Sequence, residues 1–326
     1  MQLRAKIKGT GYYVPDRVLT NADLEQMVDT SDEWIVRRTG IKERRILDEG
    51  MYTSDMAVIA GRRALDNAGI GAEEIELILV STVTPDMFTP SVSCMVQDRL
   101  GATDAMAMDV NTACTGFLSV LVTANQFIAS GYYKKILVIG AESLTQMTDY
   151  KDRNTCILFG DGAGAAVLEA AEEGGVLSSY LGADGSSGYT LTSLAFRDDE
   201  AEMAKRISGR KETLWMDGSE VLKFAVRMMT KATEVALERA GLTMDDIAML
   251  VPHQANIRIV SGAAKRLGVS MDKMVINIDR LGNIGSGCIP IALSEAMDAG
   301  TINPGDKVVL VAMGGGLTWG AAVVEL

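Results

Sequence analysis

Short continuous apolar runs alternate along this chain with longer amphipathic stretches. Ile136-Leu137-Val138-Ile139 and Ile247-Ala248-Met249-Leu250-Val251 are typical. Runs of this length without polar alternation predict strands buried on both faces, as in a sheet covered by helices. The pattern occurs twice. Ala64-Leu65-Asp66-Asn67-Ala68-Gly69-Ile70, leading into Glu73-Glu74-Ile75-Glu76-Leu77-Ile78-Leu79, is matched by Ala236-Leu237-Glu238-Arg239-Ala240-Gly241-Leu242, leading into Asp245-Asp246-Ile247-Ala248-Met249-Leu250-Val251. The copies lie 172 residues apart (Ala64 and Ala236). Each reads as a helix stopped by glycine, then acidic residues, then a buried strand. Lys135-Ile136-Leu137-Val138-Ile139-Gly140 and Lys307-Val308-Val309-Leu310-Val311-Ala312 repeat at the same spacing. Two matches in one register predict a duplicated α/β chain with halves of about 1–173 and 174–326. The stretch from about Asp184 to Trp215 fits neither copy. Rich in Gly, Ser and charge, it is expected to form an inserted loop and short helix covering a site.

Two features of this pattern carry chemistry. The strand ending at Val251 delivers His253, the only histidine in the chain. Imidazole-based acid, base or donor chemistry must use this residue, and metal sites needing several imidazoles are excluded. Cys114 lies between a strand ending near Val110 and an amphipathic helix from about Thr115 to Ile128, among small residues that predict a tight elbow. A cysteine there meets the positive end of the helix dipole, which favours the thiolate. Cys94, Cys156 and Cys288 lack such a setting and are expected to be inert. Phe159-Gly160-Asp161-Gly162-Ala163-Gly164-Ala165-Ala166 runs into a strand rather than a helix, so it is not a dinucleotide fingerprint. The run Met313-Gly314-Gly315-Gly316 follows the last repeated strand and permits the close backbone approach that an oxyanion hole needs.

Composition narrows the class. A formal net charge of −12 argues against a nucleic-acid partner. The four cysteines show neither a CxxC pair nor a zinc spacing, so free thiols in a reducing cytoplasm are expected. No apolar run approaches the ~20 residues of a membrane span, and Met1–Ile7 lacks the apolar segment of a signal peptide.

Taken in order, Thr30-Ser31-Asp32-Glu33-Trp34-Ile35, Arg38-Thr39-Gly40-Ile41, Ala113-Cys114-Thr115-Gly116-Phe117, Phe159–Ala165, Pro252-His253-Gln254-Ala255-Asn256, Gly282-Asn283 and Gly314-Gly315-Gly316 resemble the β-ketoacyl-acyl carrier protein synthase III family. The resemblance covers essentially the whole chain. It implies a thiolase-like duplicated fold, layered αβαβα, and a condensing acyltransferase of fatty acid biosynthesis. By resemblance Cys114 accepts an acyl group from acyl-CoA. Malonyl-acyl carrier protein then loses carbon dioxide, and the carbanion attacks the acyl-enzyme. His253 and Asn283 are the implied donors to the malonyl thioester oxygen, and the N–H groups of Cys114 and Gly315 the oxyanion hole. Thr30, Trp34, Arg38, Arg153 and Asn256 match coenzyme A-binding positions. Thr89, Phe159, Leu222 and Met313 match the acyl pocket. No cofactor or metal is implied, coenzyme A entering as a substrate thioester, and a homodimer is expected.

An acidic carrier protein meeting an acidic enzyme requires a local basic patch. Arg258 and Lys265 share a helix face with Arg266 alongside, and Lys223 and Arg227 share a face of the preceding helix. Arg258, Lys265, Arg266 and Lys223 are therefore the expected docking residues. Three departures from the family stand out. Thr89 replaces a phenylalanine that, by resemblance, enters the pocket of the other subunit; Leu222 and Met313 replace commoner aromatics; Ile284 replaces a small polar residue after the asparagine. The first two hint at a primer larger than acetyl, and the last removes a hydroxyl near Asn283. A degradative thiolase would need a second cysteine where Met313-Gly314 stands. A starter-loading acyltransferase without decarboxylation is the runner-up, and a silent acyl-CoA or carrier-protein binder is a third reading. Neither accounts for His253 and Asn283 together.

Overall fold

The computed structural model describes residues 3–194 and 213–326. Its two main sheets repeat one topology. In the first, the strand order is Arg4–Tyr13, Asp161–Ala171, Lys135–Ser143, Leu77–Ser81, Met106–Val110. Asp161–Ala171 runs antiparallel to both its neighbours, and the last three strands are mutually parallel. In the second, Gly175–Ala183, Thr318–Glu325, Lys307–Gly314 and Met249–Pro252 follow the same order and directions. The fifth position is reduced there to one bridge between Leu250 and Met274.

Side-chain alternation assigns the layers. Leu77, Leu79, Ile136 and Val138 of the first sheet share one core with Val308, Leu310 and Ala312 of the second, and with helices Gly116–Ala129 and Cys288–Asp298 between them. The intervening positions Ile78, Val80, Leu137 and Ile139 face outward onto helices Thr53–Ala68 and Val92–Leu100. Val309, Val311 and Met313 likewise meet helices Gly218–Ala240 and Ile257–Leu267. Strands buried on both faces explain the unbroken apolar runs, and the layers stack αβαβα. The helix stops read from the repeat are Gly69 and Gly241, both left-handed caps (φ 64° and 68°).

The insertion is described only at its flanks. A 3₁₀ turn at Gly185–Thr190 leads to strand Leu191–Thr192, which pairs with Trp215–Met216. The short helix expected further along lies outside the described residues.

Candidate active site

After strand Met106–Val110 the chain turns through Ala113 at φ 50°, a left-handed conformation uncommon outside glycine. The 3₁₀ turn Ala113–Thr115 then opens the helix Gly116–Ala129, presenting Cys114 at its start. Two close approaches hold this elbow. A Cβ on Gly116 would fall 1.6 Å from Ser81 Oγ, and one on Gly314 would fall 2.8 Å from the Cys114 nitrogen. The second half thus presses its strand end directly against the cysteine of the first.

His253 follows strand Met249–Pro252, and its backbone N–H donates to Val311 O at 2.8 Å. Its ring is buried, and neither ring nitrogen has a hydrogen-bond partner among the described residues. Burial alone pushes its pKa down to about 4, so the imidazole is neutral at neutral pH. Asn283 is fixed by its backbone: its N–H donates to Leu158 O (2.8 Å) and its carbonyl accepts from Gly160 N–H (3.0 Å). A Cβ on Gly160 would strike Leu281 O at 2.3 Å, so the first glycine of that run serves to seat the asparagine loop. The Asn283 side-chain Oδ1 accepts from Gly285 N–H at 2.9 Å and meets the Cys288 thiol at 3.8 Å. Holding the amide oxygen leaves the NH2 group as the donor toward the cavity. The amide is therefore oriented by a backbone N–H and a thiol. Ile284 packs in an apolar cluster with Leu281, Cys288 and Ile291. Cys288, expected to be inert, stands at the site.

Cys114, His253 and Asn283 line one cavity of about 500 Å³. Its apolar wall includes Phe159, Leu222 and Met313 as expected, together with Ile157, Leu191, Met216 and Ile259, which the sequence did not single out. Half-buried Trp34 and Asn256 and exposed Arg38 and Arg258 also line it. Asn256 caps the Ile257–Leu267 helix, its Oδ1 accepting from Arg258 N–H at 2.9 Å. The Trp34 helix, Asp32–Thr39, is anchored from below by buried Arg44, which donates to Leu19 O, Asn21 Oδ1 and Ile157 O. Asn21 passes the link to Asp32 and to Ile41 O. Arg38 and Arg153 flank the indole, their guanidinium carbons 5.3 and 4.5 Å from the ring centroid. Arg153 also pairs with Asp29 at 3.4 Å.

Of the expected catalytic, coenzyme A-binding and acyl-pocket residues, Thr30, Thr89, Arg153 and Gly315 are not among those lining this cavity. Thr30 is half-buried just before the Trp34 helix, with its hydroxyl unpartnered among the described residues. Thr89 lies on an exposed loop beside Phe88, itself 78% exposed. Of the basic residues, Arg258, Lys265 and Arg266 are exposed on one helix. Lys223 is engaged by Glu220 at 2.8 Å and, with Arg227 and Arg266, lines a separate depression.

The electrostatics correct one expectation. Burial holds the Cys114 thiol well above its ordinary pKa, with Cys288 and Glu142 adding to the shift; the N–H groups of Cys114 and Gly315 offset it only in part. A helix terminus stabilises a neighbouring anion by about 0.3–1 kcal/mol, whereas burying an unpaired charge costs several kcal/mol. Burial therefore favours the thiol over the thiolate expected from the elbow alone. Glu142, which the sequence reading passed over, is fully buried beside these groups and pushed up to about 7 by desolvation. Its only cue in the sequence is an acidic residue closing an apolar run. Among the described residues no cluster of His, Cys, Asp and Glu suits a metal ion, and no helix is long and apolar enough to cross a membrane.

Comparison with known proteins agrees with this geometry. Residues 108–185 match the family described as 3-oxoacyl-[acyl-carrier-protein (ACP)] synthase III, and residues 237–326 match its C-terminal counterpart. A β-ketoacyl-[acyl-carrier-protein] synthase III of Caldanaerobacter subterraneus subsp. tengcongensis is 50% identical over 325 residues, covering 99% of this chain and 98% of the relative. The crystal structure of 3-oxoacyl-[acyl-carrier-protein] synthase III from Aquifex aeolicus VF5 superimposes with a TM-score of 0.92 at 43% identity, over 99% of this chain and 100% of that one. The priming β-ketosynthase of the R1128 polyketide pathway superimposes at 0.94 with 35% identity, over 100% of this chain and 97% of that one. Near-complete coverage at half identity, on a duplicated thiolase-like fold, places this chain in the β-ketoacyl-[acyl-carrier-protein] synthase III family.

Proposed function

We propose that this protein condenses an acyl-CoA primer with malonyl-acyl carrier protein to give 3-ketoacyl-acyl carrier protein, free CoA and carbon dioxide, initiating fatty acid synthesis. The observation that carries the reading is the convergence of Cys114, His253 and Asn283 on one cavity that Trp34 and Arg38 also line. The first half, 1–173, supplies the nucleophile, and the second, 174–326, supplies the two donors.

In the first half-reaction the Cys114 sulfur attacks the acyl-CoA carbonyl, the thiol proton passes to the departing CoA thiolate, and a thioester forms on the enzyme. The N–H groups of Cys114 and Gly315, which already face the sulfur, receive the charge on the tetrahedral oxygen. In the second, loss of carbon dioxide places negative charge on the malonyl thioester oxygen. His253 is neutral, so it offers a hydrogen bond without a readily lost proton that would quench the carbanion; Asn283 offers a second. The carbanion attacks the acyl carbonyl and Cys114 leaves as the thiolate, which takes a proton from solvent. Trp34 and the flanking arginines receive the nucleotide end of coenzyme A. Thr30, just before that helix, belongs to the same coenzyme A-binding set, and Asn256 meets the pantetheine arm. No metal or redox group takes part. The enzyme works in the cytoplasm as a homodimer, in which Thr89 of one copy reaches the acyl pocket of the other.

Intact mass after mixing with acetyl-, isobutyryl-, hexanoyl- and octanoyl-CoA, and again after adding malonyl-acyl carrier protein, tests the reading. One acyl adduct on Cys114 that disappears with malonyl-carrier is expected. An adduct that persists identifies a starter-loading acyltransferase instead. With Leu222 and Met313 in the wall, branched or medium-chain primers should turn over faster than acetyl-CoA; equal or better use of acetyl-CoA refutes the larger pocket.

Carrier-protein docking is assigned to Arg258, Lys265 and Arg266, with Lys223 secondary because Glu220 already holds it. Neutralising the first three should raise KM for malonyl-acyl carrier protein about tenfold at low salt and leave acylation by acyl-CoA unchanged. Equal losses in both half-reactions would mark the patch as structural.

A further inference from the structure

The offset of 172 residues that relates the two halves also relates two turns at the site. It carries Asn111 onto Asn283, Cys114 onto Ser286, Gly116 onto Cys288, and Glu142 onto Gly314. Each turn opens a helix of the central layer and packs on a strand end of the opposite half. The Cys114 turn rests on Gly314, where a Cβ would fall 2.8 Å from the Cys114 nitrogen, and Cys114 itself lines the cavity. The Ser286 turn rests on Gly140 and on Glu142. Ser286 is buried, so this second turn is a closed counterpart of the first.

Glu142 is densely bonded. Its Oε2 accepts from Val83 N–H (3.0 Å), Thr82 Oγ1 (3.2 Å) and Thr84 Oγ1 (3.0 Å). Its Oε1 lies 2.8 Å from Ser286 Oγ, which is also 3.0 Å from Ser81 O. One hydroxyl proton cannot serve both acceptors at once. If the carboxyl is protonated on Oε1 it donates to Ser286, and Ser286 then donates to Ser81 O, satisfying every group. The same residue supports the asparagine. A Cβ on Gly285 would lie 3.0 Å from Glu142 Cγ, and Gly285 N–H is the donor that fixes the Asn283 amide oxygen. Ser286 also touches the other turn, since a Cβ on Gly116 would meet Ser286 Cβ at 3.2 Å.

We propose that Glu142 is a positioning residue: with Ser286 it clamps the Asn283–Cys288 turn so that the Asn283 amide is aimed at the malonyl thioester. The inference rests on the condensation reading above. It predicts a selective defect, because the clamp bears on the asparagine more directly than on the Cys114 sulfur. A displaced amide loses its hydrogen bond to the developing charge, while acyl transfer to Cys114 does not use it.

The test compares wild type with E142A, E142Q and S286A in two assays: acylation of Cys114 by acyl-CoA, followed by intact mass, and carbon dioxide release from malonyl-acyl carrier protein. E142A and S286A should lower kcat for carbon dioxide release about 10- to 100-fold, with KM for malonyl-carrier within about threefold and acylation nearly unchanged. E142Q should recover most of the rate, since its amide oxygen takes the three donors at Oε2 and its NH2 donates to Ser286. An unaffected E142A, a parallel loss of both half-reactions, or an E142Q as impaired as E142A overturns the proposal. If E142A does not fold, S286A and E142Q decide it alone, and an S286A with normal carbon dioxide release refutes the clamp. Wild type that forms no acyl adduct, or releases no carbon dioxide, fails the condensation reading instead.

Discussion

Replacing Cys114 with alanine should abolish the acyl adduct seen by intact mass and reduce condensation by roughly four orders of magnitude or more. The size follows from the loss of the covalent route itself. Carbon dioxide release from malonyl-acyl carrier protein should nevertheless persist in C114A, because the donors to the malonyl oxygen, His253 and Asn283, are untouched. The fold should also survive. The elbow is held by the close approach of Gly116 to Ser81 and of Gly314 to the Cys114 backbone, neither of which involves the sulfur. A C114A protein still acylated by acyl-CoA would show that Cys114 is not the nucleophile.

Removing the donors should produce the converse defect. H253A or N283A should form the acyl-Cys114 adduct at close to the normal rate but release carbon dioxide about 100- to 1,000-fold more slowly, the cost of one lost oxyanion donor. The double variant should lose less than the product of the two, since both act on one charge. Decarboxylation at a normal rate in both single variants would remove His253 and Asn283 from that step. The buried imidazole has a consequence for stability as well. Its folded pKa lies near 4, below the ordinary 6.5, so the unfolded chain binds the extra proton first as pH falls. Stability attributable to a neutral His253 is complete above about pH 6.5 and declines between 6.5 and 4. Thermal midpoints of wild type should therefore drop across that window more than those of H253A.

Glu142 and Asn283 show where sequence reading stopped. They are 141 positions apart (142 and 283), and the link runs through Gly285 and Ser286, neither of which has a distinctive local pattern. Orientation of the Asn283 amide comes from the Gly285 N–H and the Cys288 thiol, groups that a residue-by-residue comparison does not weigh. Lys223 reads as a free cation on its helix face, yet Glu220 one turn earlier holds it. Thr89 reads as part of the pocket, yet it stands outside the cavity of its own chain. Cys114 reads as an activated thiolate from its place before a helix, whereas its burial in the folded chain raises the thiol pKa.

What the sequence determined by itself is local and periodic. Apolar runs announced strands covered on both faces, glycines after Ala68 and Ala240 announced helix ends, and the shared offset announced the duplication, because side-chain burial and backbone conformation leave their period in the chain. It also determined which residues could do chemistry, since a single histidine and a single cysteine elbow leave few alternatives. The tertiary structure decided how those residues are charged and aimed. Burial sets the state of Cys114, His253 and Glu142, and contacts between the two halves orient Asn283. Both depend on what surrounds an atom in space, and segments distant in sequence supply most of those surroundings.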